Sequence, residues 1–210
     1  MKNKVLAVVL AAFICFSAGK PKKEFEGIIV YTTLVESKHP DFTSDTLQSA
    51  YGPVMTLYYK NGNYKMVYSG NDIKEIYYLK ATNTQYMVRK GIDTLFTARC
   101  DIEIRTLISS TYNADAGKIV KRKCSQVIND MGDIKNYYWF DPSIYVNPDQ
   151  FKQHVFGHFN VFVEKAQSFW IKYKFEAPLL NVTHTAVKIT RQEIPDSIFR
   201  LPNFPEINNN

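Results

Sequence analysis

The sequence predicts a mainly β fold, an antiparallel curved sheet forming a half-barrel or open barrel with one main helix packed on it. Short runs of β-branched and aromatic residues, joined by short polar turns, fill most of the chain, which is the pattern of an antiparallel meander. One of those turns, Asn61-Gly62, stands between two alternating runs and is the preferred two-residue turn of a tight hairpin, because both residues tolerate positive φ. Only one stretch, residues 149–160, spaces apolar residues as a helix does, through Phe151, Val155 and Phe159 and on to Phe162.

Taken in order, residues 27–36 alternate Ile28, Val30 and Leu34 against Ile29, Tyr31 and Val35, and so read as a strand covered on both faces. Residues 37–53 are polar and hold Pro40, Gly52 and Pro53, which makes a loop. Residues 54–60 and 64–69 form the Asn-Gly hairpin. Residues 73–80 and 84–89 form a second hairpin around Ala81-Thr82-Asn83, and Lys90-Gly91-Ile92-Asp93 turns the chain into 94–99. Residues 102–107 fit a strand or one helical turn, and 113–117 a loop. A further hairpin joins 119–128 to 134–140.

Asp141-Pro142 and Asn147-Pro148 bracket a non-helical connection. The helix expected over 149–160 has Asn147 as a cap, Pro148 in its first turn and Asp149 at the favourable end of its dipole. Residues 168–176 and 181–192 close the sheet as a hairpin around Ala177-Pro178. Residues 194–202 form a capping turn. One β-rich domain spans 20–205, with 206–210 as a frayed tail.

The chain has 210 residues, 45% of them hydrophobic and 14% aromatic, which excludes a disordered tail, a collagenous repeat or a disulfide-dense miniprotein. Lys2 and Lys4 precede an apolar run over 5–16, and Ser17-Ala18-Gly19 follows with small residues. Residues 1–19 therefore read as a secretory signal peptide, and the expected location is exported, periplasmic or outer-membrane-associated, with peripheral membrane association. A lipid-modified Cys15 is the competing reading, disfavoured by Phe13 and Ile14 before it. Without the leader, 24 basic residues face 20 acidic ones, and the net charge falls from +6 to +4. The basic residues are scattered. Their one cluster, Lys118, Lys121, Arg122 and Lys123, is a solvated strand start rather than a phosphate-binding patch, so nucleic acid is not expected as a partner.

Cys100 and Cys124 are the cysteines of the mature chain. In an oxidising compartment a disulfide between them, closing a loop that would contribute about 3 kcal/mol, stands level with two buried free thiols, since spacing alone cannot bring their Cα atoms together. His154 and His158 are four residues apart on the expected helix, a spacing that suits a shared metal, but no third ligand accompanies them. His184 sits within a strand. No G-x-S-x-G turn anchors a triad, and no phosphate-cradling glycine motif occurs. Asn181-Val182-Thr183 matches a glycosylation acceptor, a short pattern that recurs by chance. Neither a catalytic residue nor a cofactor is expected, and the chain does not read as an enzyme.

Aromatic residues recur as strand doublets, in Tyr58-Tyr59, Tyr77-Tyr78 and 137–140. Neighbours on a strand point to opposite faces, so each doublet sends a ring to both sides of the sheet. Tyr59, Tyr77, Tyr138 and Phe140 are the candidate lining residues of a concave groove for a lipid or another apolar ligand. Phe151, Val155 and Phe159 are the helix face that would plug or gate it. The alternative role is a structural or protein-interaction component with a filled core.

Several short segments carry a resemblance. They are 25–31, Lys123-Cys124 leading to Tyr137-Tyr138-Trp139-Phe140 and Val146-Asn147-Pro148, then 185–189 and 194–202. Together they resemble uncharacterised secreted domain families of Gram-negative envelopes whose fold is similar to the periplasmic outer-membrane lipoprotein carrier. The resemblance implies an unclosed β-barrel of eleven or so strands holding a helix on its concave side, and a hydrophobic groove able to take acyl chains. It brings no lipoprotein-binding or catalytic residue to this chain.

Overall fold

A computed structural model describes residues 22–208. The expected signal peptide and the end of the expected tail, residues 209–210, lie outside them. The strands in chain order are β1 (Gly27–Ser37), β2 (Val54–Lys60), β3 (Asn63–Tyr68), β4 (Ile73–Leu79), β5 (Thr84–Arg89), β6 (Leu95–Arg99), β7 (Ser109–Asn113), β8 (Lys118–Ile119), β9 (Arg122–Lys123), β10 (Ser125–Asp130), β11 (Lys135–Tyr145), β12 (Ser168–Glu176), β13 (Leu180–Arg191) and β14 (Glu206–Asn208). Two helices, α1 (Ser44–Tyr51) and α2 (Phe159–Ala166), accompany them.

Twelve strands form one curved, open sheet in the order β14-β6-β5-β4-β3-β2-β1-β13-β12-β11-β10-β7. All neighbours are antiparallel except β14 and β6. The fold class predicted from the sequence is the one observed. The Asn-Gly hairpin has the backbone that its residues demand: Asn61 at φ 49° and Gly62 at φ 82° turn Lys60 back onto Asn63.

Several elements differ from expectation, each for a local reason. The loop 37–53 contains α1, whose N-cap Thr43 accepts a hydrogen bond from Thr46 N; α1 buries no residue, so no apolar stripe announced it. The strand expected over 119–128 is cut by Val120 and Lys121, at φ 49° and 61°, into the small β8–β9 hairpin and β10. β11 runs past Phe140 through Asp141-Pro142 to Tyr145, with breaks in its register against β12. Part of the expected frayed tail is a strand, because Glu206–Asn208 pairs in parallel with Leu95–Thr97 on β6.

The helix expected over 149–160 does not form as one piece. A 3₁₀ turn at Pro148–Phe151, with Asn147 capping Asp149 N as predicted, gives way to a second 3₁₀ turn at 156–158, and α2 begins only at Phe159. Gly157 (φ 61°) and His158 (φ 53°) are both left-handed, a pair of backbone positions that ends any right-handed helix. The signal was the glycine inside the helical pattern.

Residues 147–166 lie against one face of the sheet and complete the main core with it. Phe151, Phe159, Phe162 and Val163 pack there with Tyr31, Leu57, Tyr64, Tyr138 and Phe169, and the Phe162 ring stacks on Tyr138 at 4.1 Å. A second cluster, Tyr77, Tyr86, Val88 and Leu95, is packed by Leu201 and Phe204 of the C-terminal segment. Cys100 and Cys124 are both buried free thiols, so of the two readings that the sequence left level the disulfide is not the one formed. One follows β6 and the other precedes β10, near opposite ends of the sheet order, and each thiol donates to a carbonyl two residues back.

β2 pairs only with Gly27–Thr32 of β1, and α1 takes over beyond it. Gln48 Oε1 accepts from Val35 N at 2.9 Å, while Gln48 Nε2 donates to the carbonyls of Thr33 and Gly52 at 3.1 and 3.0 Å. The side-chain amide thus stands in for a strand's peptide group. Gln48→Leu, which leaves these groups without a partner, is expected to lower stability by about 1–3 kcal/mol, read as a reduced urea midpoint at unchanged m-value.

Candidate functional site

The segment from Pro148 to His158 crosses the sheet's interior as irregular chain, so its peptide groups need partners. They come from loops and strands on both sides. Asn83 Nδ2 donates to the Gln153 carbonyl at 2.8 Å, and the Cys100 carbonyl accepts from Val155 N (2.7 Å) and Phe156 N (3.1 Å). Glu103 Oε2 accepts from Gly157 N. From the other side, Asn136 Nδ2 donates to the Gly157 carbonyl at 3.1 Å and Asn129 Nδ2 to the His158 carbonyl at 2.9 Å.

This crossing does not fill the concave face. A cavity of about 340 Å³ remains between it and the strands, within the size range of small-ligand sites. Its wall is mostly aromatic, with Tyr64, Tyr68, Tyr138, Phe159, Trp170 and Tyr173 among the lining residues. Glu103, Arg105 and Phe156, partly or fully exposed, also line it, the first two supplying its charged groups.

Two buried histidines, His154 (2% exposed) and His184 (4%), line the same cavity. His154 stacks among Tyr78, Phe159 and Tyr64, and its Nε2 lies 3.2 Å from the Tyr64 hydroxyl, which also accepts from Gln85 Nε2 at 2.8 Å. Among the described residues His154 Nδ1 has no hydrogen-bond partner. His184 Nδ1 pairs with Thr33 Oγ1 at 2.9 Å, and the ring sits among Tyr31, Tyr68, Trp170 and Tyr173. Burial pulls both imidazoles down, to about 3 for His154 and about 4 for His184, so both are neutral near pH 7. Burial also pushes the phenols of Tyr64, Tyr68, Tyr138 and Tyr173 upward, and they stay protonated.

Of the seven ligand-binding candidates from the sequence, Tyr138 and Phe159 line the cavity. Tyr59, Phe140 and Phe151 are fully buried in the filled part of the core. Tyr77 belongs to the second cluster, under Leu201 and Phe204, because its doublet partner Tyr78 is the one that joins the main core. Val155 is half-buried and spends its N–H on Cys100. His154 and His158 share no helix face: His158 Nε2 instead donates to the Arg105 carbonyl at 2.9 Å. Among the described residues no group of three or more His, Cys, Asp and Glu side chains comes together.

Sequence reasoning missed His154, His184, Tyr64, Tyr68 and Tyr173 as lining residues. Period-two alternation could have placed two of them: His184 shares a face of β13 with buried Val182 and Ala186, and Tyr68 shares one of β3 with Tyr64. His154 carries no comparable signal, since its segment is irregular.

No protein-family model and no curated protein matches the chain. Two solved structures of PNGF-II are similar to it, both at TM-score 0.48 over 87% of this chain. Identity is 9% for the C2 crystal form and 6% for the P21 form. The chain spans only 31% of the length of those proteins.

The neutral histidines carry an acid cost. In the unfolded chain each titrates near 6.5, whereas folded His184 and His154 titrate near 4 and 3. The unfolded state therefore binds more protons between those values, and stability falls as pH drops through about 6.5 towards 4 and 3. Near pH 5 the pair should contribute a slope of about 2 kcal/mol per pH unit, measured by urea unfolding across pH 4–7, and His184→Gln should remove roughly half of it. Burial raises both thiols, Cys100 to about 12. Ellman's reagent should find neither in the native protein and both after denaturation; a count of none in denaturant would mean a disulfide.

Proposed function

We propose that the chain is a non-catalytic binding protein that holds a lipid or another largely apolar small ligand in the cavity of its concave face. The observation that carries this reading is the 340 Å³ cavity itself. A domain evolved only for a filled core would gain by closing such a space, because each unfilled volume forfeits dispersion contacts. Its aromatic wall gives apolar area with hydroxyls at the edges, as ligand sites use.

Chemistry supports binding over catalysis. Thr33 and His184 form a hydroxyl–imidazole pair, yet none of the described carboxylates hydrogen-bonds to that ring, and burial makes it a weak base. Burial is the largest influence on both thiols and holds them protonated, outweighing even the pull of Arg122 on Cys124. The leader-like residues 1–19 support export. Ile104 and Ile108, 83% and 68% exposed, place apolar surface on the segment that carries Glu103 and Arg105, which suits ligand exchange at a membrane surface. The resemblance to carrier-like envelope families points towards an acyl-containing ligand.

The test is native mass spectrometry with organic extraction of protein purified from its own host. A co-purifying small molecule is expected, and Ile134→Trp, which places a large ring on the cavity wall, should reduce its occupancy at least tenfold without loss of fold. Protein that emerges empty, and is merely stabilised by Ile134→Trp, would support the rival structural role.

A further inference from the structure

We infer that the β6–β7 connection, residues 101–107, is the gate of the cavity, and that a ligand enters and leaves as this loop lifts off the bend at Gly157-His158. The inference rests on the binding role proposed above and names how access to that same site is controlled. Topology puts the loop in position. β6 is second in the sheet order and β7 is last, so the chain between Arg99 and Ser109 travels from one side of the sheet to the other, a reach of at most about 30 Å at its length. It does so over the concave face, because Glu103 and Arg105 line the cavity. Of the lining residues, Arg105 and Phe156 are the two that are exposed. One belongs to the loop and the other to the crossing segment, so the cavity reaches solvent where these two elements meet.

Polar contacts close that seam. Glu103 Oε2 accepts from Gly157 N, and His158 Nε2 donates to the Arg105 carbonyl at 2.9 Å. Both catches sit on the left-handed pair Gly157-His158, so the bend that leaves the cavity open also supplies the latch. The loop is rooted at Cys100, whose carbonyl accepts from Val155 N and Phe156 N, and at Ile108, whose N–H donates to the Asp130 carbonyl at 2.8 Å.

The two sides of the seam are held very differently. No residue from Asp101 to Ile108 is buried, and the loop contains neither helix nor strand. Lifting it exposes little apolar surface and exchanges a few hydrogen bonds for water at small net cost. The crossing segment instead buries Phe151 and His154 and runs into buried Phe159, while Asn129 and Asn136 hold the carbonyls of its bend. The loop is therefore the part that moves and the bend is the sill it closes on, as in lids drawn from the least stable part of a fold.

Stopped-flow fluorescence with 1-aminonaphthalene, a probe small enough for the 340 Å³ cavity, tests the gate on the purified protein at pH 7. His158→Asn keeps a residue that tolerates the left-handed backbone but is too short to reach the Arg105 carbonyl. It should raise the association and dissociation rates together, at least fivefold each, with Kd within about twofold. Gln48→Leu, which weakens the fold at α1, should leave both rates within about twofold. A His158→Asn effect on dissociation alone, no effect on either rate, or equal acceleration by Gln48→Leu overturns the gate and leaves the binding role standing. Native-state hydrogen exchange of the same variants reads the opening without a ligand, and decides where the probe does not bind. His158→Asn should speed exchange of the Gly157 N–H at least tenfold while amides paired between β12 and β13 change less than about twofold. An unmoved Gly157, or an equal rise throughout the sheet, refutes a local opening. If the probe does not bind and protein extracted from its own host is empty, the binding role itself falls, and the gate with it.

Discussion

An irregular stretch of chain, Pro148 to His158, lies across the hollow of a twelve-stranded curved sheet, and unpaired peptide groups cannot remain in such a place. The neighbouring structure is arranged around their satisfaction. Asn83 in the β4–β5 turn, the carbonyl of Cys100, the Glu103 carboxylate, and Asn129 and Asn136 on β10 and β11 all turn inward onto it. Those partners come from turns and loops around β4–β6 and from β10 and β11, so the crossing segment ties together two parts of the sheet that no strand pairing joins. An open sheet is thereby held in its curved form without closing into a barrel.

The same device explains why a cavity persists. A straight helix over 149–160 would lay a continuous apolar stripe on the sheet. The left-handed pair Gly157-His158 instead redirects the chain, so that Phe151 stays in the filled core while Phe159 becomes part of a wall. A Cβ at Gly157 would also stand 3.3 Å from Asn136 Nδ2, the group that anchors the bend. Polar groups in the space left behind are therefore by-products of the bend as well as its opportunity: His154 is brought into the apolar interior because the segment that carries it is fastened at both ends.

Much of the sheet was legible. Period-two alternation and the Asn61-Gly62 turn identify β1 to β5 closely, since these features act over a few residues and depend on backbone geometry alone. Two kinds of error arose. α1 was invisible because its stabilisation lies in one side chain, Gln48, bonding to the backbone of β1, a long-range contact without a local pattern. The helix over 149–160 was over-read because apolar spacing outweighed a single glycine. Among the site residues, Tyr138 and Phe159 were identifiable from doublet and stripe, while Tyr59 and Tyr77 followed the same rule to other places, as alternation says that two faces differ but not which of them meets empty space.

By itself the sequence determined the mainly antiparallel β class, the hairpin positions and the abundance of rings on both faces, because propensity, alternation and turn chemistry are local quantities. Tertiary structure alone decided that Cys100 and Cys124 stay unbonded, that residues 206–208 join β6, and that two histidines from distant segments line one aromatic-walled cavity. Those outcomes depend on sheet curvature and on where a bent segment comes to rest against it. Both are set by the sum of many long-range contacts rather than by the identity of any neighbouring residue.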